Sequence, residues 1–489
     1  MISRRNILGT AAVTPFSLWW AQEALAQTPR VRASAYSAAG RQALVTYREA
    51  VRLMTARPAA DLKGWTVWYK IHKFPDNWDS LDPADEASAQ ALELDSIFGA
   101  ATQARARAAQ LLGACPHGSP DFWSWHRMYL FFFERLCQHL TGKSDFALPY
   151  WDYRANPVIP SEFRSPATKA ANPLWHQRDA TFNRVSQPGR IRLGAADYDF
   201  YRQADFFDAQ VLIEQTPHGS IHVQVGSGLA FPPPVDHDMS SVGRSARDPL
   251  FWLHHCEVDR QWAAWQQNRS VPQDADWLSN TATRPGGYAF YDALTNQVVK
   301  ATNLDVLSIA PILGDMGYSY DAMPPPLPPP SGLFAATSTQ LVARTDSAKV
   351  GDDRRDQALL TPNLDLLRAD GLFATGIEKV RVTIKRVEVK RGASASIGVY
   401  LNLPAGLTGA RAEPYRVGSV STFGLKPHGG VHAGHDLGRP IRFDATEVVQ
   451  RLRSEGRLGT ALVFSTVPLA GTVGADNLDL KNIEVTVEK

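Results

Sequence analysis

The chain has 489 residues, and its 51 Lys and Arg against 49 Asp and Glu leave a formal charge of +2. That balance, with no nucleic-acid motif, excludes a charge-driven nucleic-acid binder, and three cysteines exclude a disulfide scaffold. A hydrophobic content of 44% is ample for a packed core, and the length exceeds the usual single domain, so two domains are expected.

Residues 1–26 read as an address label. Ser3-Arg4-Arg5-Asn6-Ile7-Leu8 resembles a twin-arginine export signal, a short apolar stretch follows from Ala11 to Trp20, and Ala24-Leu25-Ala26 offers a small-x-small cleavage site. The apolar stretch is too short to span a bilayer. The expectation is a periplasmic or secreted protein beginning near Gln27, without a membrane anchor. A twin-arginine route carries folded proteins, which suits a chain that takes up metal before export.

Ala43, Leu44, Tyr47, Val51 and Met54 recur at helical spacing and predict a helix over 37–57. A second, over 59–73, carries His72 and ends at Lys73-Phe74-Pro75. Residues 76–100 are polar and acidic and read as a loop with short helical turns; 101–112 are Ala-rich and helical. Ser119-Pro120-Asp121 starts the next helix, which runs to Leu140 through Phe122, Trp125, His126, Tyr129, Phe133 and Leu136. That aromatic stripe reads as core wrapped around His126. Residues 141–205 are irregular, 205–225 hold His218 and His222, and 248–268 form a helix with His254, His255 and Asp259.

The composition changes at the proline run from Met323 to Pro330, a stiff extended linker. Beyond it the period becomes two: Val380, Val382 and Ile384 alternate with polar residues, as do Ile397, Val399, Leu401 and Leu403, and strands are expected at 461–467 and 483–487. One amphipathic helix is placed near 444–454. The fold expected is a mainly α catalytic domain over 27–322, a helix bundle around a metal site. A linker over 323–335 joins it to an all-β, sandwich-like C-terminal domain over 336–489.

The chemistry lies in the histidines. His218 and His222 are four apart, so on a helix they share a face, and His255 follows them. His117 and His126 come earlier, with His72 alone before them. Six histidines thus sort into two sets, His72, His117, His126 and His218, His222, His255. Asp259, four residues after His255, is placed to steer the helix or the imidazole. Imidazole suits zinc, copper, iron and nickel, so donor type alone does not choose the metal. Hydrolytic zinc sites need one ion and commonly a general base. Two matched neutral sets instead tolerate a metal cycling between +1 and +2, with positions left open for a small molecule.

The run His117-Gly118-Ser119-Pro120-Asp121-Phe122-Trp123-Ser124-Trp125-His126-Arg127, with Glu134 beyond, resembles the first copper motif of the tyrosinase and polyphenol oxidase family. Asp248-Pro249-x-Phe251 through His255-x-x-x-Asp259 is similar to the second. Leu148-Pro149-Tyr150-Trp151, Tyr318-Ser319-Tyr320, Val399-Tyr400-Leu401-Asn402 and the stretch from Val417-Gly418-Ser419 to Pro427-His428 have weaker counterparts in plant-like members. The resemblance implies two copper ions on the six histidines, with His255 the ligand and His254 its neighbour. It implies oxidation of o-diphenols to o-quinones with O2 reduced to water, and O2 and small phenols as partners. Hydroxylation of monophenols is a further step that some members take.

The same resemblance implies roles for other residues. Cys115-Pro116-His117 is similar to the arrangement that forms a thioether to a copper ligand in fungal members; the other reading is a free buried thiol. Glu214 matches a glutamate that orders a water near the second copper and helps deprotonate a phenol; a capping or salt-bridge role is the alternative. Gly219 stands where tyrosinases often carry an Asn that pairs with that glutamate. Val242, thirteen before His255, replaces a bulky Phe gate of plant enzymes and widens the pocket. The C-terminal domain is expected to be a lid, released by detergent, acid or proteolysis near 324–335. His428, His432 and His435 are either a glycine-rich turn or a transient copper-loading site. Two other readings stay open, an O2 carrier like molluscan haemocyanin and a copper storage protein.

Overall fold

Aromatic and aliphatic residues at helical spacing build the first half of the protein. A computed structural model describes residues 30–82, 84–229, 236–308, 318–324, 339–350, 356–362, 379–389, 394–425, 439–458, 462–472 and 478–488. The export signal, most of the linker and the loop with His428, His432 and His435 lie outside the described residues. Strand β1 (Arg30–Arg32) leads to helices α1 (Ala38–Thr55), α2 (Trp65–His72), α3 (Glu86–Phe98), α4 (Gln103–Leu111), α5 (Phe122–Thr141), α6 (Phe206–Ile213), α7 (Ser220–Ser227) and α8 (Leu250–Gln266). The short helix α9 (Ala275–Leu278), the hairpin β2 (Tyr288–Asp292) and β3 (Gln297–Ala301), α10 (Asn303–Ser308) and β4 (Tyr318–Tyr320) follow.

Two elements differ from expectation. Helix α2 begins only at Trp65, because the preceding residues form successive turns, with Asp61 N donating to Pro58 O and Gly64 N to Asp61 O. Helix α3 fills a stretch expected to be loop. Its Glu, Ala and Leu residues favour a helix, but only Leu94 and Phe98 are buried, so its apolar stripe is too thin to show as a period.

Helices α5 and α8 form the centre, buried along nearly their whole lengths. Asp259 on α8 is the knot between segments. It accepts from Arg127 Nε of α5 at 2.5 Å, Arg32 Nη1 of β1 at 3.0 Å, Tyr318 OH at 2.5 Å and Tyr320 OH at 2.6 Å. Burial pushes this carboxyl up, but Arg127 and Arg32 outweigh it and hold it below its usual value. Of the two roles expected for Asp259, steering the helix or the imidazole, its contacts are those of the first, since neither ring nitrogen of His255 has a hydrogen-bond partner. The carboxylate binds β1, α5 and β4 to α8.

The second half is β structure. Strands β5 (Thr339–Val350), β6 (Asp356–Pro362), β7 (Lys379–Val389), β8 (Ser394–Leu401), β9 (Arg416–Ser421), β10 (Ile441–Asp444), β11 (Leu462–Thr472) and β12 (Leu478–Glu488) form one antiparallel sheet, ordered β10-β7-β12-β5-β6-β11-β8-β9, with α11 (Thr446–Ser454) beside it. The sheet folds over on itself into a sandwich-like unit. Its two edge strands meet where Gly418 of β9 lies against the Phe443 ring of β10, too close for any Cβ.

The seam between the halves is polar and specific. Arg416 of β9 reaches the buried carboxylate of Asp197 (Nη2 to Oδ2, 2.6 Å), which also accepts from Ser419 Oγ at 2.9 Å and Thr216 Oγ1 at 3.0 Å. Ser421 N donates to Gln215 Oε1 at 3.0 Å, Arg442 Nη1 to Asp208 Oδ1 at 2.6 Å and Asp444 N to Asp199 Oδ2 at 2.9 Å. No helix among the described residues is long and apolar enough to cross a membrane.

Candidate metal centre

Each expected ligand arrives on a different kind of support. His72 ends α2, His117 sits on the loop before α5, and His126 lies one turn into α5. His218 lies in an irregular turn, Glu214–Gly219, and His222 on α7; the two do not share one regular helix, because Thr216 breaks it with extended backbone. His255 is on α8. The structure nevertheless brings all six together. His72, His117, His126 and Cys115 place donor atoms within 4.8 Å of one another, as do His218, His222, His254 and His255. The groups abut, with the His126 and His255 rings stacked at 4.2 Å.

Hydrogen bonds orient the rings. A carbonyl can only accept, so Nδ1 is the donor in His72 to Val242 O (3.1 Å), His126 to Phe122 O (2.7 Å), His218 to Glu214 O (3.0 Å) and His222 to Met239 O (2.8 Å). That tautomer leaves the Nε2 lone pair free for a cation. Nε2 of His72, His117, His218 and His222 is buried without a partner, as are both ring nitrogens of His254 and His255. A buried unsatisfied nitrogen costs about 1–3 kcal/mol, and such a set is uneconomical unless an ion completes it. Burial lowers the pKa of every one of these imidazoles, that of His218 to about 3. They are therefore neutral donors, and the residues fit two ions of an imidazole-binding metal.

Other expected residues fall in and out of place. Cys115 Sγ lies 3.1 Å from His117 Nδ1 and 3.5 Å from His126 Nε2, and burial raises its pKa well above the ordinary thiol value. Cys137 and Cys256 are free and buried elsewhere. Glu214 is buried, which pushes its carboxyl up to about 8, while the hydrogen bond from Gly118 N (2.7 Å) pulls it back. The carboxylate thus ties the His117 loop to the His218 turn. Gly219 does not face an open pocket: a Cβ there would lie 2.6 Å from Ser421 Oγ of β9. Val242 is buried in a small cluster with Trp78, Val223, Ala470 and Phe423.

Sequence reasoning missed Phe423. This residue follows β9, and its ring lies parallel to His222 at 4.0 Å and edge-on to His117 at 5.7 Å and His218 at 5.5 Å. It was hidden because it sits two residues beyond a strand in a part of the chain without catalytic motifs, and only the tertiary fold brings it to the histidines. His254, expected as a neighbour, joins the second group, its ring stacked on His218 at 5.3 Å.

A helical core holding two abutting sets of neutral imidazoles defines a binuclear metal protein. Comparison with known proteins agrees. Residues 63–190 and 168–268 match the common central domain of tyrosinase, and 333–484 match a domain of unknown function. A tyrosinase of Hahella sp. (strain CCB-MM4) is 25% identical over 449 residues, covering 83% of this chain and 88% of that protein. The chloroplastic polyphenol oxidase A1 of Vicia faba is 24% identical, covering 76% and 67%. The solved structure of latent apple tyrosinase superposes with a TM-score of 0.60 at 20% identity, over 94% of this chain and 98% of that one, and so shares the fold. Residues 63–268 thus carry the common central domain of tyrosinase, and the two histidine groups fit a pair of copper ions as the cofactor.

Proposed function

We propose that the protein converts o-diphenols, and some monophenols, to o-quinones with O2 reduced to water, and that the full-length chain is a latent form of this oxidase. His72, His117 and His126 hold one copper, and His218, His222 and His255 the other. Bound copper supplies a redox pair that takes electrons from the phenol and passes them to O2.

The observation that carries this reading is Phe423. A six-membered aromatic ring is stacked on His222, flanked by His117 and His218 and packed on Val242. Phe423 thus marks the seat of a phenol ring and blocks it. A substrate taking its place would bring its hydroxyl toward the second group. Glu214, with its carboxyl raised to about 8, is the chain's own group for holding the phenol proton. Cys115, against the edge of His117, is placed for the thioether. The domains are the catalytic part over 27–322, the linker over 323–335 and the lid over 336–489, exported to the periplasm or beyond by the segment 1–26.

Oxygen uptake by the copper-loaded chain with a catechol and its monophenol, before and after cleavage in the linker, tests this. Catechol turnover that rises on cleavage is expected. Reversible O2 binding without quinone would mean a carrier, and copper uptake without either would mean storage.

A further inference from the structure

Between α2 and α3 a single carboxylate is gripped by three successive residues of the loop that precedes α8. Asp79, in the short turn Trp78–Ser80, accepts from Val242 N at 2.9 Å (Oδ1), Gly243 N at 3.1 Å (Oδ2) and the Ser241 hydroxyl. The approach is close because residue 243 is glycine: a Cβ there would lie 2.9 Å from Asp76 O. The loop is held from its other side as well, since the Val242 carbonyl accepts from His72 Nδ1 at 3.1 Å. The side chain of Val242, meanwhile, packs against Phe423 and Trp78.

One residue, Val242, therefore faces both metal groups. Its carbonyl fixes the tautomer and ring plane of His72 in the first group. Its side chain packs against Phe423, the ring stacked on His222 in the second. We infer that Asp79 is a positioning residue that sets both through the Val242 backbone, so that ligand geometry at one copper and pocket width at the other are adjusted together. Charge-assisted bonds to backbone N–H are stronger than neutral ones, and a donor chain running from His72 through the Val242–Gly243 peptide to the Asp79 carboxylate polarises each link. The inference rests on the dicopper reading above.

Asp79→Asn keeps the shape but turns an NH2 toward the backbone N–H groups, removing an acceptor where the loop needs two. The test is chelator competition on the copper-loaded full-length chain. The parent is expected to release two coppers at two chelator midpoints. In Asp79→Asn one midpoint should fall about tenfold, as for other partners that orient a metal-bound histidine, and the other should stay. In a His222→Ala background, where the first group stands alone, the same tenfold shift is expected. Asp79→Glu, which restores the charge, should recover part of it. Unchanged midpoints, or an equal fall in both, overturn the inference, because a merely structural residue would weaken the two sites alike. Should Asp79→Asn not fold, Ser241→Ala decides: losing one donor should shift the first copper alone by about two- to threefold, and no shift overturns the role. A parent chain that binds fewer than two coppers would instead sink the dicopper reading.

Discussion

The helical half and the β half divide the labour unequally. All the histidines of both groups come from the helical half, on helices and loops locked by Asp259 and its four partners. Among the described residues, the β half reaches the centre through the ring of Phe423, from a turn held by polar contacts at the seam. The lesson is that chemistry and its restraint are built differently. A metal site needs rigid convergence of several residues, whereas a block needs one ring and a docking surface that can let go.

The sharpest break in the comparison is inside the helical half. His255→Ala should lose one copper and all quinone formation, and His254→Ala should keep both metals. Metal content by atomic absorption distinguishes them; equal loss in the two variants would show that the ligand register is wrong, since both residues lie in the second group. Next comes the β half. Phe423→Ala should raise the catechol rate of the uncleaved chain about a hundredfold if the parent is open about 1% of the time, a docking preference of about 2.7 kcal/mol. A variant no faster than the parent, with the lid still attached, would show that the ring does not block substrate.

Gly219→Asn tests the contact between the halves. An Asn at this position, paired with Glu214 as the family resemblance implies, should raise the monophenol-to-diphenol ratio. In the structure the new side chain would first collide with Ser421, 2.6 Å from Oγ and 2.7 Å from Cβ. Activation of the uncleaved chain by about tenfold is expected, corresponding to about 1.4 kcal/mol of lost docking. The ratio then has to be read on the helical half separated from the β half after cleavage, where Ser421 is gone. No activation before cleavage would mean that β9 yields without releasing Phe423.

The site was more legible in the sequence than the device that closes it. Metal-ligating histidines advertise themselves by type and spacing, so both sets could be sorted; α5 also shows a stripe at helical spacing, whereas α8, buried from Leu250 to Trp265, is legible through its histidine motif. Strands β5, β6, β9 and β10 went unread. β5 is half-exposed along much of its length, and β9 is buried at every position, so neither shows a clear alternation. Phe423, Asp197 and Asp79 were invisible for a common reason. Each acts through a partner far along the chain, Arg416 lying 219 residues from Asp197 and Val242 163 from Asp79, and no local pattern encodes such a pairing. Tyr318 and Tyr320 were recognised as a motif but not as ligands of the Asp259 knot.

The smallest effect expected is the pH dependence of the seam, and its sign runs against simple release by acid. Asp199 in the helical half is buried under the lid, its Oδ2 accepting from Asp444 N at 2.9 Å and Gln203 Nε2 at 3.1 Å. Burial pushes its carboxyl up to about 7, Asp444 beside it adds to the rise, and the Asp444 N–H, Arg202 and Lys379 pull the other way. When the lid lifts, water reaches Asp199 and the carboxyl returns toward its ordinary value near 3.8. The docked state therefore holds a proton that the open state gives up. Docking is strongest below about pH 4, weakens as pH rises toward about 7, and is flat beyond, by at most about 1.4 kcal/mol for each unit of pH. Activity of the full-length chain as a fraction of the cleaved chain, which cancels the pH dependence of the chemistry itself, should rise severalfold between about pH 5 and pH 8. Asp199→Asn, uncharged throughout, should flatten that ratio and stay latent at the alkaline end. A parent ratio constant over the same range would show that Asp199 stays covered when Phe423 leaves, and that the lid swings on a narrower part of the seam around Arg416 and Asp197.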